Sequence, residues 1–186
     1  MKQALLNIFF PKTCIFCKRA GNYLCEDCFS LIEINPFQYC VCGKTKGNYK
    51  CNDCNSNLNG IFVCTKQGQK IVDKIINSYP KIKDLSFSLS LIILTHFLLL
   101  KKESFSDFVI YPLPQNKKEL RRTGFDKTKE IGKIISEKLK IPLIENPGGI
   151  KDKKILLLDI EYSDEIEKIS KQLKPIEVFG LVIKKH

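Results

Sequence analysis

Eight of the nine cysteines lie within one short stretch, and their spacing constrains the chain more than any other feature. They form four close pairs: Cys14-x-x-Cys17, Cys25-x-x-Cys28, Cys40-x-Cys42 and Cys51-x-x-Cys54. A gap of two residues lets both thiolates of a tight turn bind one tetrahedral ion, and two such turns complete a four-sulfur site. No histidine lies in this stretch. The pattern therefore predicts two zinc ions, each bound by cysteine alone.

The spacing favours tandem pairing, with the first four cysteines on one ion and the last four on the other. An interleaved arrangement, first pair with third and second with fourth, is an alternative that the spacing leaves open. The pair Cys40-Val41-Cys42 is one residue shorter than the usual turn, although Gly43 follows it. Ribbons this small bury little core, so we expect the metal to supply much of their folding free energy.

A disulfide framework is the alternative to metal. After Met1-Lys2 there is only a short apolar run ending at Phe10-Pro11, without a small-residue cleavage site, so we expect no signal peptide. In a reducing cytoplasm, paired cysteines are metal ligands rather than bridges. We therefore expect a cytoplasmic zinc protein. Cys64, outside the pairs, lies in an apolar run and is expected in the core.

Beyond Asn59-Gly60 the chain alternates between helix and strand patterns, which predicts an α/β domain with a parallel sheet. We therefore expect two domains: a double zinc ribbon over residues 1–60 and an α/β domain over residues 61–186. Helices are predicted at 66–79 and 85–100, after the basic loop 115–126 with Ile131, Ile134, Ile135 and Leu139 on one face, and after an N-cap at Asp164 with Ile166, Ile169 and Leu173. Strands are predicted at 108–114, 154–160 and 177–183, with a short strand and turn at 141–149. Residues 3–11 form an apolar lead-in that is expected to pack beside the first ribbon.

The most apolar stretch is residues 85–100, bracketed by Asp84 and Lys101. Its sixteen residues fall short of the ~20 that a membrane-spanning helix needs. It also contains three serines, a threonine and His96. We predict a buried helix with His96 as a core residue, a membrane segment being the alternative.

The formal net charge is +11, and eight ligating thiolates (−8) with two Zn²⁺ (+4) would leave about +7. Residues 115–140 carry nine basic against four acidic side chains. Four of the basic residues are candidates for phosphate contact: Lys117, Lys118, Arg121 and Arg122. A solvated helix face is the alternative. Several aromatic residues could stack on unpaired bases: Phe16, Tyr23, Tyr39, Tyr49 and Phe125.

Three landmarks occur in a fixed order. They are the double cysteine ribbon preceded by Phe10-Pro11, Pro112-Leu-Pro114 followed by Leu120-Arg-Arg-Thr-Gly-Phe-Asp126, and an apolar strand ending in Asp159. In this the chain resembles the ComF family over nearly its whole length. Those are competence-associated proteins that join a zinc ribbon to a phosphoribosyltransferase-like domain. The resemblance implies a shortened domain of that fold and a role in DNA uptake, with single-stranded DNA and DNA-uptake proteins as partners. Where the family usually has Arg, Asn and Gln, this chain has Thr123, Asp126 and Lys127.

The largest departure from the family is at the expected phosphoribosyl pyrophosphate site. There the family has two adjacent acids followed by a Thr-Thr-Gly loop that cradles a phosphate. Here the second acid is Ile160, the loop is missing, and Asp164 with Glu167 fits a capping box at a helix start. Four acids would repel a phosphate at this place: Glu161, Asp164, Glu165 and Glu167. We therefore expect a degenerate, non-catalytic domain. The alternative is an active phosphoribosyltransferase that uses Asp159 and Glu161 on the ribose.

Overall fold

The computed structural model describes residues 11–43, 51, 53–100, 105–146, 153–173 and 177–185. The helices are α1 (Glu26–Ser30), α2 (Lys70–Ser78), α3 (Leu85–Leu99), α4 (Lys117–Thr123), α5 (Lys127–Leu139) and α6 (Asp164–Gln172). The strands are β1 (Gln38–Tyr39), β2 (Gly60–Val63), β3 (Phe108–Pro112), β4 (Lys154–Glu161) and β5 (Glu177–Lys184). Most of the apolar lead-in, residues 3–10, lies outside the described residues.

The five strands form one sheet in the order β1-β2-β5-β4-β3. Four of them, β2, β5, β4 and β3, run parallel to one another, which confirms the predicted parallel sheet. The edge strand β1 differs, because it runs antiparallel to β2 and comes from residues predicted to belong to the ribbon. The boundary at residue 60 remains a prediction, although the segment before it supplies this edge of the sheet.

Alternate residues of the strands face two separate cores. On β4, Leu156 and Leu158 contribute to one apolar cluster, and Ile155 and Leu157 to the other. Side chains of a strand point to opposite faces in turn, so a continuous apolar run indicates a strand covered on both sides. Helices α2, α3 and α5 cover the first face, and α6 covers the second. Five residues of the first cysteine segment also join the first core: Cys14, Ile15, Leu24, Cys28 and Ile32.

The structure corrects the predicted loop at residues 115–126, which contains helix α4. The Oδ1 atom of Asn116 accepts a hydrogen bond from the backbone N–H of Glu119 at 2.8 Å. Gly124 ends the helix in the left-handed conformation, with φ 75°. An N-cap asparagine and a glycine just after the last turn are the ordinary helix boundaries. Asn116 and Gly124 could have indicated these boundaries from the sequence, but a helix of seven residues is too short to show a clear apolar periodicity.

Two other predicted boundaries also change. Helix α2 begins at Lys70 rather than at residue 66, with Gln69 as its N-cap. The predicted short strand at 141–149 is, within the described residues, a single parallel bridge from Leu143 to Ile110. One bridge beside the edge strand β3 is too short to count as a sixth strand.

Helix α3 confirms the helix that was predicted for the most apolar stretch, but it is buried on one face only, with Phe87 and Leu98 exposed. His96 lies fully buried on it, and its Nδ1 atom donates to the carbonyl oxygen of Asn35 at 2.5 Å. The imidazole ring also packs against Phe62 and Phe97. Among the described residues, no helix is both long and apolar enough to cross a bilayer.

Candidate metal centres and the adjoining cleft

The first four cysteines form one cluster, in which the Sγ atoms of Cys14, Cys17, Cys25 and Cys28 all lie within 4.8 Å of one another. The Sγ atoms of Cys17 and Cys25 are 3.5 Å apart. A disulfide would bring two sulfurs to about 2.05 Å, whereas a tetrahedral zinc with bonds of about 2.3 Å sets its sulfurs about 3.8 Å apart. The sulfur positions therefore suit one metal ion rather than disulfides, and all nine cysteines are free thiols.

Local backbone structure positions each of these sulfurs. The first turn closes through a hydrogen bond from Lys18 N–H to the carbonyl of Cys14, with Lys18 at a left-handed φ of 70°. Helix α1 starts directly after Cys25 and carries Cys28 on its first turn. The two cysteine pairs therefore converge from a tight turn and a helix start.

The last four cysteines form the second cluster, since the Sγ atoms of Cys40, Cys42, Cys51 and Cys54 also lie within 4.8 Å of one another. The Sγ atom of Cys42 is 3.5 Å from that of Cys40 and 3.4 Å from that of Cys51. The short Cys40-x-Cys42 turn still brings both sulfurs to one site. Gly43 adopts φ 74°, and its N–H donates a hydrogen bond of 2.9 Å to the carbonyl of Cys40. The cysteines are thus grouped in tandem, and the interleaved alternative is wrong.

The thiols of each cluster differ sharply in acidity. Burial opposes ionisation of Cys14, but backbone N–H groups, those of Cys25 and Cys17 foremost, outweigh it and lower the pKa of Cys14 to about 6. Burial and the hydrogen bonds of the neighbouring thiols raise the pKa of Cys28 to about 12. The second cluster repeats this pattern: the pKa of Cys40 is lowered to about 6, while bonds with Cys42 and Cys40 raise that of Cys51 to about 12.

Four thiols this close together cannot all ionise unless a cation neutralises their negative charge, because like charges oppose ionisation. A divalent ion that replaces the protons satisfies all four sulfurs at once. Soft sulfur ligands in a tetrahedral group of four suit zinc and other thiophilic metals. Both clusters are therefore chemically suited to hold a metal ion.

The second cluster is tied to the α/β part of the chain by polar contacts. The Nζ atom of Lys185, just after β5, donates to the carbonyl of Val41 at 2.5 Å. The hydroxyl of Ser56 donates to Oε1 of Glu167 at 2.8 Å, and the hydroxyl of Tyr162 bonds the same oxygen at 3.2 Å. Nothing in the sequence pointed to the contacts of Lys185 with Val41 and of Ser56 with Glu167, because each joins segments more than one hundred residues apart.

A cleft of about 420 Å³ opens at the carboxyl ends of β3 and β4. Its charged lining includes one ammonium and four carboxylates, namely Lys127 with Glu119, Asp159, Glu161 and Glu165. Asp159 and Glu161, the two acids that the alternative enzyme hypothesis places on a ribose, both line this cleft. Lys127 is ion-paired with Glu119, so the cleft is acidic on balance.

Asp159 is the most buried of these acids and is already hydrogen-bonded. Its Oδ1 atom accepts from the N–H of Ile160 at 2.7 Å, and its Oδ2 atom from the hydroxyl of Ser163 at 3.0 Å. Burial raises the pKa of Asp159, although these two bonds work in the opposite direction. The carboxylate is thus held by its own strand end and by the start of the next helix.

The capping box predicted at Asp164 and Glu167 is wrong. Helix α6 begins at Asp164 with Ser163 as its N-cap, and the side chain of Ser163 makes no capping bond because its hydroxyl donates to Asp159 instead. The carboxylate of Glu167 is held by Ser56 and Tyr162. Only two residues, Tyr162 and Ser163, separate β4 from α6.

The four basic candidates all lie on α4: Lys117, Lys118, Arg121 and Arg122. Each is exposed. Arg122 approaches Glu119 at 3.9 Å, and the other three have no ion-pair partner among the residues that the structure describes. Asn116 and Glu119, at the start of the same helix, line the cleft. The basic helix therefore lies at the rim of an acidic cleft.

The described aromatic candidates lie on different segments of the fold. Phe125, directly after it, packs on Tyr79 with ring centroids 5.4 Å apart. Phe16 is 39% exposed on the first cysteine turn, with the Nζ atom of Lys74 at 5.6 Å from the ring centroid. Tyr23 and Tyr39 are half-buried, and Tyr49 lies outside the described residues.

The fold and these sites define an α/β protein with two tetra-cysteine clusters suited to metal ions. No model of a protein family, no curated protein and no solved structure matches the chain. The resemblance to the ComF family therefore depends on the motifs quoted above.

Proposed function

We propose that the chain is a cytoplasmic, ComF-like zinc protein whose phosphoribosyltransferase-like domain is not catalytic and binds single-stranded DNA. The observation that carries this proposal is the contrast at the rim of the cleft. Three exposed cations on α4 have no ion-pair partner within the described part of the chain, whereas four carboxylates and one ammonium are the charged groups that line the neighbouring cavity. An anionic polymer is attracted to the first surface and repelled by the second.

The two zinc ions have a structural role in this proposal. Four cysteines complete the tetrahedral shell of zinc, so no position stays open for water or substrate. Cys14 and Cys28 are buried in the same core as α2 and α3. Zinc at the first cluster therefore stabilises the cysteine segment against the α/β domain, and zinc at the second does the same through Ser56 and Lys185.

The DNA contact in this proposal is made through phosphates. The four basic residues lie along one side of α4, because Lys117 is one helical turn from Arg121 and Lys118 is one turn from Arg122. Guanidinium groups bind phosphate oxygens in pairs, and lysines add unpaired charge. Such contacts bind without regard to base sequence, as a protein that handles incoming single strands requires. DNA-uptake proteins are the partners that the resemblance implies.

The test is titration of a fluorescent oligo-dT by anisotropy at several salt concentrations. Changing both Arg121 and Arg122 to alanine should weaken binding about tenfold or more near 0.1 M salt and reduce the slope of log K against log salt by about 0.7 for each lost contact. The control changes Lys168 and Lys171 on α6 to alanine, which removes the same charge from another exposed face. Equal effects of the two double variants would mean that the binding is not located on α4.

A second candidate, an active phosphoribosyltransferase, is favoured by one observation. Asp159 and Lys127 meet in a cleft at the carboxyl ends of parallel strands, where ligands of α/β folds bind. Calorimetry with phosphoribosyl pyrophosphate and Mg²⁺ separates the two candidates. We expect no binding up to millimolar concentrations, because the two-residue link before α6 offers no phosphate loop. Saturable binding that Asp159→Asn abolishes would establish the enzyme instead.

A further inference from the structure

The fold surrounds the two cysteine clusters differently. Three cysteines of the first cluster lie within the first apolar core or pack against it: Cys14, Cys25 and Cys28. None of the four cysteines of the second cluster belongs to either core that the described residues form. Cys17 and Cys42 are the exposed members of the two clusters. A reaction at Cys17 would therefore disturb a cluster that is built into the core, whereas one at Cys42 would not.

A cavity of about 460 Å³ opens beside the second cluster, at the carboxyl ends of β2 and β5. Cys42 and Gly43 contribute to its lining. Its volume is within the range of about 300–1,000 Å³ for clefts that hold ligands. By contrast, the described residues that line the groove between the first cysteine segment and α3 include no cysteine. A small molecule in the cavity at β2 and β5 would therefore contact Cys42.

The charged side chains that line this cavity are two lysines, Lys66 and Lys185, and its described lining includes no carboxylate. Lys66 is ion-paired with Glu33 at 2.6 Å. The Nζ atom of Lys185 donates to the carbonyl of Val41, directly before Cys42. Four thiolates with one Zn²⁺ would carry a net charge of about −2. Lys185 offsets part of that charge beside Cys42, so a small anion can approach this cysteine.

We propose that Cys42 is an oxidation site for small anionic disulfides of the glutathione type, and that its oxidation releases zinc from the second cluster. The inference depends on the zinc binding proposed above but not on the DNA contact. It gives the second cluster a role beyond the structural one.

The reaction consists of two thiol–disulfide exchange steps. A cysteine that binds zinc is deprotonated, and the thiolate is the form that attacks disulfides. The thiolate of Cys42 attacks one sulfur of the small disulfide, whose S–S bond breaks and releases one small thiolate. The thiolate of Cys51, with its Sγ atom 3.4 Å from that of Cys42, then attacks the mixed disulfide and displaces the second small thiolate.

Two electrons thus pass from the two cysteines to the small disulfide, and a Cys42–Cys51 bond forms. The cluster keeps two thiolate ligands, which are too few to retain zinc against solvent.

The ends of the second cluster are also held by contacts that need no metal. Just before Cys40, β1 pairs with β2. Just after Cys54, the hydroxyl of Ser56 donates to Glu167. Cys40 and Cys54 therefore keep their places when zinc leaves, so we expect a thiol reductant together with zinc to restore the cluster.

The test begins with full-length protein that holds two zinc ions, incubated with millimolar oxidised glutathione under anaerobic conditions. A chromophoric chelator follows the release of zinc. We expect one zinc ion to leave about tenfold or more faster than the other. Peptide mapping should then find a disulfide between Cys42 and Cys51, and dithiothreitol with added zinc should reverse both changes.

Two variants that each keep one zinc ion assign the reaction to a cluster. Cys17→Ser retains the second cluster and should release its ion as fast as the rapid ion of the wild type. Cys42→Ser retains the first cluster and should release its ion about tenfold or more slowly. If Cys17→Ser does not fold, the disulfide map of the wild type still decides between the clusters.

A third variant tests the anionic class of the disulfide. Lys185→Gln should slow the release of zinc several-fold with oxidised glutathione but not with the uncharged hydroxyethyl disulfide, because only the former is attracted by the ammonium. Lys168→Gln is the matched control, since it removes the same charge from an exposed position on α6. It should change neither rate.

Four outcomes would overturn the proposal. Protein with two zinc ions could release neither, or could release both at the same rate. The disulfide could map to the first cluster, for example between Cys17 and Cys25. Equal rates of Lys185→Gln and the wild type with oxidised glutathione would exclude the anionic class. Protein that binds no zinc at all would instead contradict the proposed function, which keeps the two failures apart.

Discussion

The hydroxyl of Ser56 donates a hydrogen bond of 2.8 Å to the carboxylate of Glu167, and this links the second cysteine cluster to the first turn of α6. Ser56 follows Cys54 by two residues and is buried. Glu167 also holds Tyr162, which lies in the short link between β4 and α6. One carboxylate thus connects the loop that follows the second cysteine cluster to the helix that borders the cleft.

We expect Ser56→Ala to lower the free energy of unfolding by about 1 kcal/mol, because Glu167 keeps its bond to Tyr162. Glu167→Ala should cost more, since it leaves the buried hydroxyl of Ser56 without this acceptor. Lys168→Ala is the control on an exposed neighbouring side chain. Urea denaturation of the zinc-loaded variants measures all three. Equal stabilities of Glu167→Ala and Lys168→Ala would show that the link contributes nothing.

The metal content should follow the two clusters. We expect two zinc ions per wild-type chain and one after Cys17→Ser or Cys42→Ser, because three thiolates bind zinc far more weakly than four. Cys64→Ala provides the control: Cys64 is fully buried in the core, and burial raises its pKa well above the ordinary value. That variant should retain two zinc ions. Elemental analysis after gel filtration gives the count, and a wild type without metal would contradict the prediction.

His96 should make the fold sensitive to acid. Burial lowers the pKa of His96 from 6.5 to about 4, so the folded state binds fewer protons than the unfolded state between these pH values. This contribution to stability is present above pH 6.5 and is lost as the pH falls towards 4. Between pH 7.5 and 5 the loss amounts to about 2 kcal/mol.

The measurement compares the wild type with His96→Gln, whose amide can still donate to the carbonyl of Asn35. Other groups titrate in both proteins, so only the difference in their unfolding free energies isolates His96. We expect that difference to narrow by about 2 kcal/mol between pH 7.5 and 5. A constant difference would mean that the imidazole is protonated normally in the folded state.

Asp159 should destabilise the fold at neutral pH. Burial raises the pKa of Asp159 in the folded state above its value in the unfolded chain. At a pH above the folded-state pKa, ionisation of this carboxyl therefore lowers the free energy of unfolding. This loss of stability disappears as the pH falls below the pKa values of the folded and the unfolded states. Asp159→Asn keeps an acceptor for the N–H of Ile160 and should therefore raise Tm at pH 7 but not at pH 3. A lower Tm at pH 7 would show that the two hydrogen bonds of Asp159 outweigh its burial.

Local patterns in the sequence were sufficient for several elements. The continuous apolar run of β4 and the regular spacing of Ile131 and Ile135 on α5 indicated a strand and a helix because these periodicities follow from backbone geometry alone. Likewise, the separation of the cysteines within each pair is a local property. It was enough to predict two four-sulfur groups.

Other features were decided only by tertiary structure. Two of these features depend on which distant segments meet: the tandem grouping of the cysteines and the antiparallel edge strand β1. A third is the hydrogen bond that the hydroxyl of Ser163 donates to Asp159 instead of capping α6. Asp164 and Glu167 are residue types that form capping boxes, but the carboxylate of Glu167 accepts hydrogen bonds from Ser56 and Tyr162 instead. Sequence alone determined the longer helices and strands, since those preferences are local, but it missed the short helix α4. Which polar groups pair across the fold depended on the packed chain, because a buried donor takes the acceptor that packing places within reach.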